Sequence, residues 1–221
     1  MEINKNYQCN TTNYRKNRND SIKYIVVHYV GAGGSALENA LYYSRTPNIG
    51  ASAHYFVGHG SENGQVYLSV PESACAWHCG SETGKYYHAC RNDSSIGIEM
   101  CTHLDGSGRW YFDKETVDSA VELVKSLMKK YSIPIENIIR HYDVTHKCCP
   151  APFVNNPEEW NKFKRRLTEV KELESINDIV WELYERKIIT DRELWLKKLE
   201  EDSNAYWLAR KMVNYIREKR V

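Results

Sequence analysis

The stretch IKYIVVHYV, residues 22–30, decides the fold. A strand with one wet face alternates apolar and polar residues. One buried on both faces reads as an unbroken apolar run. Here β-branched and aromatic residues occupy both parities, which predicts a central strand inside a covered sheet. His28, near the strand's C-terminal end, is then a polar group carried into an apolar setting. GAGG (31–34) ends the strand in a loop. SALENALYYSR (35–45) opens with Ser35 and Glu38, a capping box, and continues with Leu37, Ala40 and Leu41 at helical spacing.

Further signals extend the mixed pattern. SAHYFVGHGSENGQVYLSV (52–70) predicts a hairpin, with Asn63-Gly64 tolerating the positive φ of its turn. SIGIEMC (95–101) alternates, placing Ile96, Ile98 and Met100 on one face and Gly97, Glu99 and Cys101 on the other. Residues 114–132 form a helical pattern with Val117, Ala120, Val121, Val124 and Leu127 on one stripe, ended by Pro134. IIRH (138–141) is a short strand-like segment. Asn156-Pro157-Glu158-Glu159 starts a helix whose stripe is Trp160, Phe163, Leu167 and Val170. The expected fold class is α/β, a mixed central sheet flanked by helices, ending near residue 172. Residues 1–21 read as a polar, irregular lead-in.

Residues 175–221 carry no strand signal. Ile176, Ile179, Val180 and Leu183 make one helical stripe. TDRE (190–193) reads as a capping box, and Trp207, Leu208, Met212, Tyr215 and Ile216 make another stripe. Three short helices are expected, forming a small all-α region. Short helices must bury their stripes against something: one another, the first domain, or a second copy in a homodimer. Three of the six Trp residues, Trp181, Trp195 and Trp207, fall here, which also suits a module that tethers the chain to a sugar or peptide surface.

Composition excludes several classes. Thirty basic residues meet 29 acidic ones, a net charge of +1, so no overall field favours nucleic acid or acidic membranes. No apolar run approaches the ~20 residues that span a bilayer, so no membrane insertion is expected. MEINKNYQCN lacks the basic and apolar regions of a signal peptide. Synthesis in the cytoplasm is therefore expected. Seven cysteines at irregular spacing do not make a disulfide framework, although Cys79 and Cys90 could close a local loop.

The densest chemistry lies in IIRHYDVTHKCCPAPF (138–153). Two histidines and two cysteines within nine residues fit a metal site, a disulfide, a thiol nucleophile or no site. His141, Cys149 and His28 would supply a catalytic zinc with three ligands, if the strands of His28 and His141 are neighbours. In isolation each residue has a plainer reading: a packed histidine, a buried thiol, a solvated lysine.

Five blocks in order, YIVVHYVG, GASAHYFV, SVPESACAWHCG, SSIGIEM and RHYDVTHKCCP, resemble the zinc-dependent N-acetylmuramoyl-L-alanine amidases, the group of phage lysozymes, autolysins and peptidoglycan recognition proteins. The resemblance covers about residues 22–155. It implies a peptidoglycan recognition protein-like fold, bacterial peptidoglycan as partner and one Zn2+ on His28, His141 and Cys149. It further implies Glu99 as proton shuttle, Lys147 as oxyanion donor, and Tyr29, Trp77 and His78 at the substrate groove. His146 and Cys148 are bystanders on this reading. The phage lysozyme branch has a catalytic Tyr where this chain has Ala53, so the likeness is to the Glu-using branch, and His54 is expected to be structural. The implied reaction is cleavage between N-acetylmuramic acid and L-alanine, by an endolysin that reaches the wall after release. Rival readings are a non-catalytic recognition module, a four-ligand structural zinc protein and a cysteine hydrolase.

Overall fold

The computed structural model describes residues 1–169 and 175–219. Val170 and the expected domain end near residue 172 lie outside the described residues. The chain separates into two compact units, Met1–Thr168 and Glu169–Val221.

The first unit is built on a six-stranded mixed sheet. Its strands and their small companions are β1 (Ile3–Asn4), β2 (Tyr14–Arg15), β3 (Tyr24–Val30), β4 (Tyr55–Val57), β5 (Val66–Leu68), β6 (Cys75–Ala76), β7 (Ser95–Cys101), β8 (His103–Leu104), β9 (Trp110–Tyr111) and β10 (Ile138–Arg140). The main sheet runs β1-β5-β4-β7-β3-β10, while β2 pairs with β6 and β8 with β9. Within it, β4 and β5 are antiparallel, and the pairs β1–β5, β4–β7, β7–β3 and β3–β10 are parallel. The helices of this unit are α1 (Ala36–Arg45), α2 (Lys114–Tyr131), α3 (His141–Thr145), α4 (Ala151–Val154) and α5 (Pro157–Thr168).

The 22–30 run has the double-sided burial its composition dictates. Ile25 and Val27 join Ile96, Ile98 and Met100 in the core beneath α2 and α5. Val26 packs on the other face with Cys79, Cys90, Ile139 and Val144. Val30 packs there too, with Ala36 and Ala40 of α1. The alternation of β7 leaves Gly97 and Glu99 on that second face. Ser35 caps α1 by accepting from the Glu38 N–H, and Glu38 returns the bond to the Ser35 N–H, an arrangement worth about 0.5–2 kcal/mol. The hairpin has its two strands, but its turn is longer than a bare Asn-Gly pair. A 3-10 turn, Gly60–Glu62, precedes Asn63 and Gly64, both at positive φ.

The lead-in is more ordered than expected. It contributes β1 and β2, buries Cys9, and sends Arg18 into hydrogen bonds with the carbonyls of Glu72, Asn92 and Asp93.

The second unit holds α6 (Ile176–Glu185), α7 (Arg192–Glu201) and α8 (Ser203–Lys219). Its core joins Ile179, Val180 and Leu183 of α6 to Leu199 of α7 and to Ala209 and Val213 of α8. Two details differ from expectation. The cap of α7 is Asp191, which accepts from the Leu194 N–H. The inward face of α8 is Ala205, Tyr206, Ala209 and Val213, so Trp207, Leu208, Met212 and Tyr215 are exposed. Among the described residues no helix is long and apolar enough to cross a membrane.

Candidate metal centre and active site

Parallel pairing sets His28 of β3 directly beside Glu99 of β7. On the other side of β3 lies β10, with Arg140 paired to Val27. The next residue, His141, is the first of α3, so its ring reaches His28 across one strand spacing. The two ring centroids are 4.8 Å apart. Helix α3 lasts five residues and stops at His146, which takes the left-handed conformation with φ 62°. The chain then folds back, and the Tyr142 N–H donates to the Cys149 carbonyl at 2.8 Å. That return places Cys149 Sγ 3.6 Å from His28 Nδ1. One ligand-type atom from each of His28, His141 and Cys149 lies within 4.8 Å of the others, and all three residues are buried.

The donor set fits a metal. Zinc–nitrogen and zinc–sulfur bonds of ~2.0 and ~2.3 Å in a tetrahedron put N and S roughly 3.5 Å apart, close to the observed separation. Burial holds the His28 imidazole well below its usual pKa, helped by the nearby His141, His78 and Lys147. Burial also lowers His141. Both rings are therefore neutral and able to coordinate. His141 Nε2 faces the Gly80 carbonyl at 3.1 Å. A carbonyl only accepts, so Nε2 carries the proton and Nδ1 keeps its lone pair. Burial pushes the Cys149 thiol up when no cation is present, so its thiolate needs a positive partner.

Glu99 is partly buried, but its Oε2 is closed off from solvent and has no hydrogen-bond partner. Burial pushes its pKa up to about 8, against the pull of Lys147. Lys147 is half-exposed, and its Nζ pairs with Glu82 Oε1 at 2.8 Å, which raises its pKa. Cys148 is exposed and turns away, toward Asn155. His146 stacks on Tyr87 with centroids 3.6 Å apart. Neither belongs to the grouping. Tyr29 is half-buried and meets Trp110 edge-on at 5.9 Å. Trp77 is half-buried, and its backbone N–H donates to Ser52 Oγ.

His78 differs from its expected place at the groove edge. It is buried behind His28, with His28 Nε2 and His78 Nδ1 3.0 Å apart. His54 is also buried, and its Nδ1 accepts the Gly97 N–H. Cys79 and Cys90 are free, buried thiols packed in the same cluster rather than a disulfide. Sequence reasoning missed Glu82, the Gly80 carbonyl and Ser95, whose hydroxyl lies 3.1 Å from His78 Nε2. It also passed over a usable signal. A Gly within a strand marks a close approach, and a Cβ at Gly97 would lie 2.4 Å from the His78 ring.

A mixed sheet bearing a buried His, His, Cys grouping at its strand ends, with an unpartnered carboxylate beside it, defines the class. Residues 18–152 match the pattern of the N-acetylmuramoyl-L-alanine amidases, Amidase_2, and the chain belongs to that family. Curated relatives include the N-acetylmuramoyl-L-alanine amidase CwlL of Bacillus licheniformis. It is 35% identical over 154 residues, covering 66% of this chain and 41% of that protein. BlyA of Bacillus subtilis strain 168, also so named, is 33% identical over 158 residues with the same coverage. The chain thus spans about two fifths of the length of these relatives. Among solved structures, PlyL superposes with a TM-score of 0.62 at 26% identity, covering 76% of this chain and 98% of PlyL. The catalytic domain of XlyA gives 0.57 at 26% identity, covering 76% and 99%.

Proposed function

We propose that this chain is a zinc-dependent peptidoglycan hydrolase that cleaves the amide between N-acetylmuramic acid and the L-alanine of the stem peptide. The observation that carries this is the buried His28, His141 and Cys149 grouping beside the unpartnered Glu99 Oε2, in a chain of the amidase family. His28 and His141 would hold zinc through Nδ1 and Cys149 through Sγ. When bound, zinc supplies Lewis acidity to the amide carbonyl and to water.

The chain's own groups do the rest. Glu99 accepts the proton of the attacking water and passes it to the departing alanine nitrogen. Its desolvated setting suits a base poised near neutrality. Lys147 donates to the oxygen on which negative charge develops, leaving Glu82 as it does so. Tyr29 and Trp77, both half-buried, are proposed to border the substrate, near Lys147 and its partner Glu82. The proposed setting is that of an endolysin acting on the wall after release.

For the second unit we propose wall tethering. Its exposed aromatics, Trp181, Trp207 and Tyr215, supply a surface for glycan or peptide, and tethering raises local enzyme concentration at an insoluble substrate. Mass spectrometry of purified peptidoglycan after digestion tests the reaction. Free stem peptides with a new alanine amine are expected. Intact amides with retained wall binding would instead mark a recognition module.

A further inference from the structure

Behind His28 runs a chain of hydrogen bonds whose directions can all be assigned. Ser95 Oγ lies 2.7 Å from the Arg91 carbonyl, which can only accept, so the serine hydroxyl donates there. Its lone pairs then face His78 Nε2 at 3.1 Å, so that nitrogen carries the proton. A neutral imidazole has one N–H, which leaves His78 Nδ1 as an acceptor. It sits 3.0 Å from His28 Nε2, so His28 donates from Nε2. The only lone pair left on His28 is on Nδ1, the atom 3.6 Å from Cys149 Sγ. Space for the relay is built into β7, where Gly97 leaves room for the His78 ring. The backbone of His78 is pinned by its N–H to Asn92 Oδ1 at 3.0 Å.

We propose that His78 is a positioning residue for the metal, and that with Ser95 it locks His28 in the tautomer whose Nδ1 lone pair faces His141 and Cys149. This rests on the proposed metal role of the three residues and adds a supporting pair outside them. The partner that orients a ligating imidazole is commonly worth about 10–100-fold in metal affinity.

The test uses the full chain. Zinc affinity is measured by competition with a chromophoric chelator for wild type, His78→Ala, His78→Asn and Ser95→Ala, with thermal unfolding in chelator as a control for packing. His78→Ala is expected to weaken affinity about 10–100-fold. His78→Asn places an amide oxygen near the lost Nδ1 and should recover most of it at similar metal-free stability. Ser95→Ala should lose less than His78→Ala. In the metal-free wild type, nitrogen-15 NMR should find His28 protonated on Nε2. Wild-type affinity in His78→Ala overturns the proposal, as does an Asn variant no better than Ala. So does an Nδ1–H tautomer at His28. If His78→Ala does not fold, the Ser95 variant and the NMR result decide. A wild type that binds no zinc counts against the metal site itself, and the tautomer still judges the relay.

Discussion

Glu99→Gln in the metal-stripped chain should make the first unit more stable at pH 8, although it removes a group proposed to be essential. Burial lifts the Glu99 pKa from 4.5 to about 8. A carboxyl whose folded value is raised contributes fully below about pH 4.5, and that contribution is lost as pH rises toward 8. Over this window the folded state holds a proton that the unfolded state has released, so stability falls with pH. Each pH unit is worth about 1.36 kcal/mol, which sets a ceiling of roughly 4–5 kcal/mol at pH 8. Relaxation and water entry reduce this, and ~2–4 kcal/mol is expected. For a unit of this size that is a rise of roughly 5–15 °C in Tm. Gln is never charged and escapes the penalty. Thermal unfolding in excess chelator at pH 4.5 and pH 8 measures it: the variant's advantage should be near zero at the lower pH and grow toward the higher. With zinc restored, the same variant should lose about 10²–10⁴-fold in turnover. Equal pH profiles for the two proteins would show that Glu99 is well solvated, and the case for a poised base would fall with it.

Other substitutions separate the remaining roles. Cys149→Ala should lose zinc in elemental analysis while Cys148→Ala keeps it, because only Cys149 Sγ lies beside His28; equal zinc contents would refute the ligand set. Lys147→Ala should lower kcat by about 10²–10³-fold, as loss of one oxyanion donor does, with zinc content unchanged. Gly97→Ala drives a Cβ to 2.4 Å from the His78 ring and should destabilise by about 1–3 kcal/mol, read in denaturant melts. Trp207→Ala with Tyr215→Ala in the full chain should reduce sedimentation with purified walls and leave cleavage of soluble muropeptides intact; unchanged sedimentation, with a shift from dimer to monomer on gel filtration, would replace tethering by self-association.

What the sequence made legible follows from the length of each signal. The run at 22–30, the alternation at 95–101 and the stripe of α2 span enough residues for a period to show, and each appears in the structure where its pattern places it. Strands β1, β2, β6, β8 and β9 are two residues long, too short for any period to show in the sequence. Helix α8 is apolar on two faces. The sequence leaves open what its larger stripe packs against; within this unit the neighbouring helices meet α8 at Ala209 and Val213, and Trp207, Leu208, Met212 and Tyr215 stay exposed. At the site, spacing and the resemblance brought His28, His141 and Cys149 together on paper. No spacing rule could put His78 behind His28, since that contact joins residues 50 apart in the chain and depends on the missing side chain at Gly97.

The same alternation that builds the core also builds the site. Ile25 and Val27 point to α2 and α5, as do Ile96 and Ile98 on β7. In a strand the residues between them must point the other way, so His28 and Glu99 share the opposite face and are paired across the ladder. Sliding β3 by one residue would bury His28 among the Ile and Leu side chains of the core and turn Ile25 and Val27 toward His141 and Cys149. Both changes are costly. The register that the hydrophobic core enforces is therefore the register that brings the ligand histidine to the carboxylate. The other three groups, His141, Lys147 and Cys149, need a different device, since α3 and the loop after it have no ladder to hold them. They are held by the Tyr142 N–H on the Cys149 carbonyl, by Gly80 on His141 and by Glu82 on Lys147. Two of these three bonds come from the chain segment after His78. Disturbing that segment should therefore loosen His141 and Lys147 while leaving the β3–β7 pair in place.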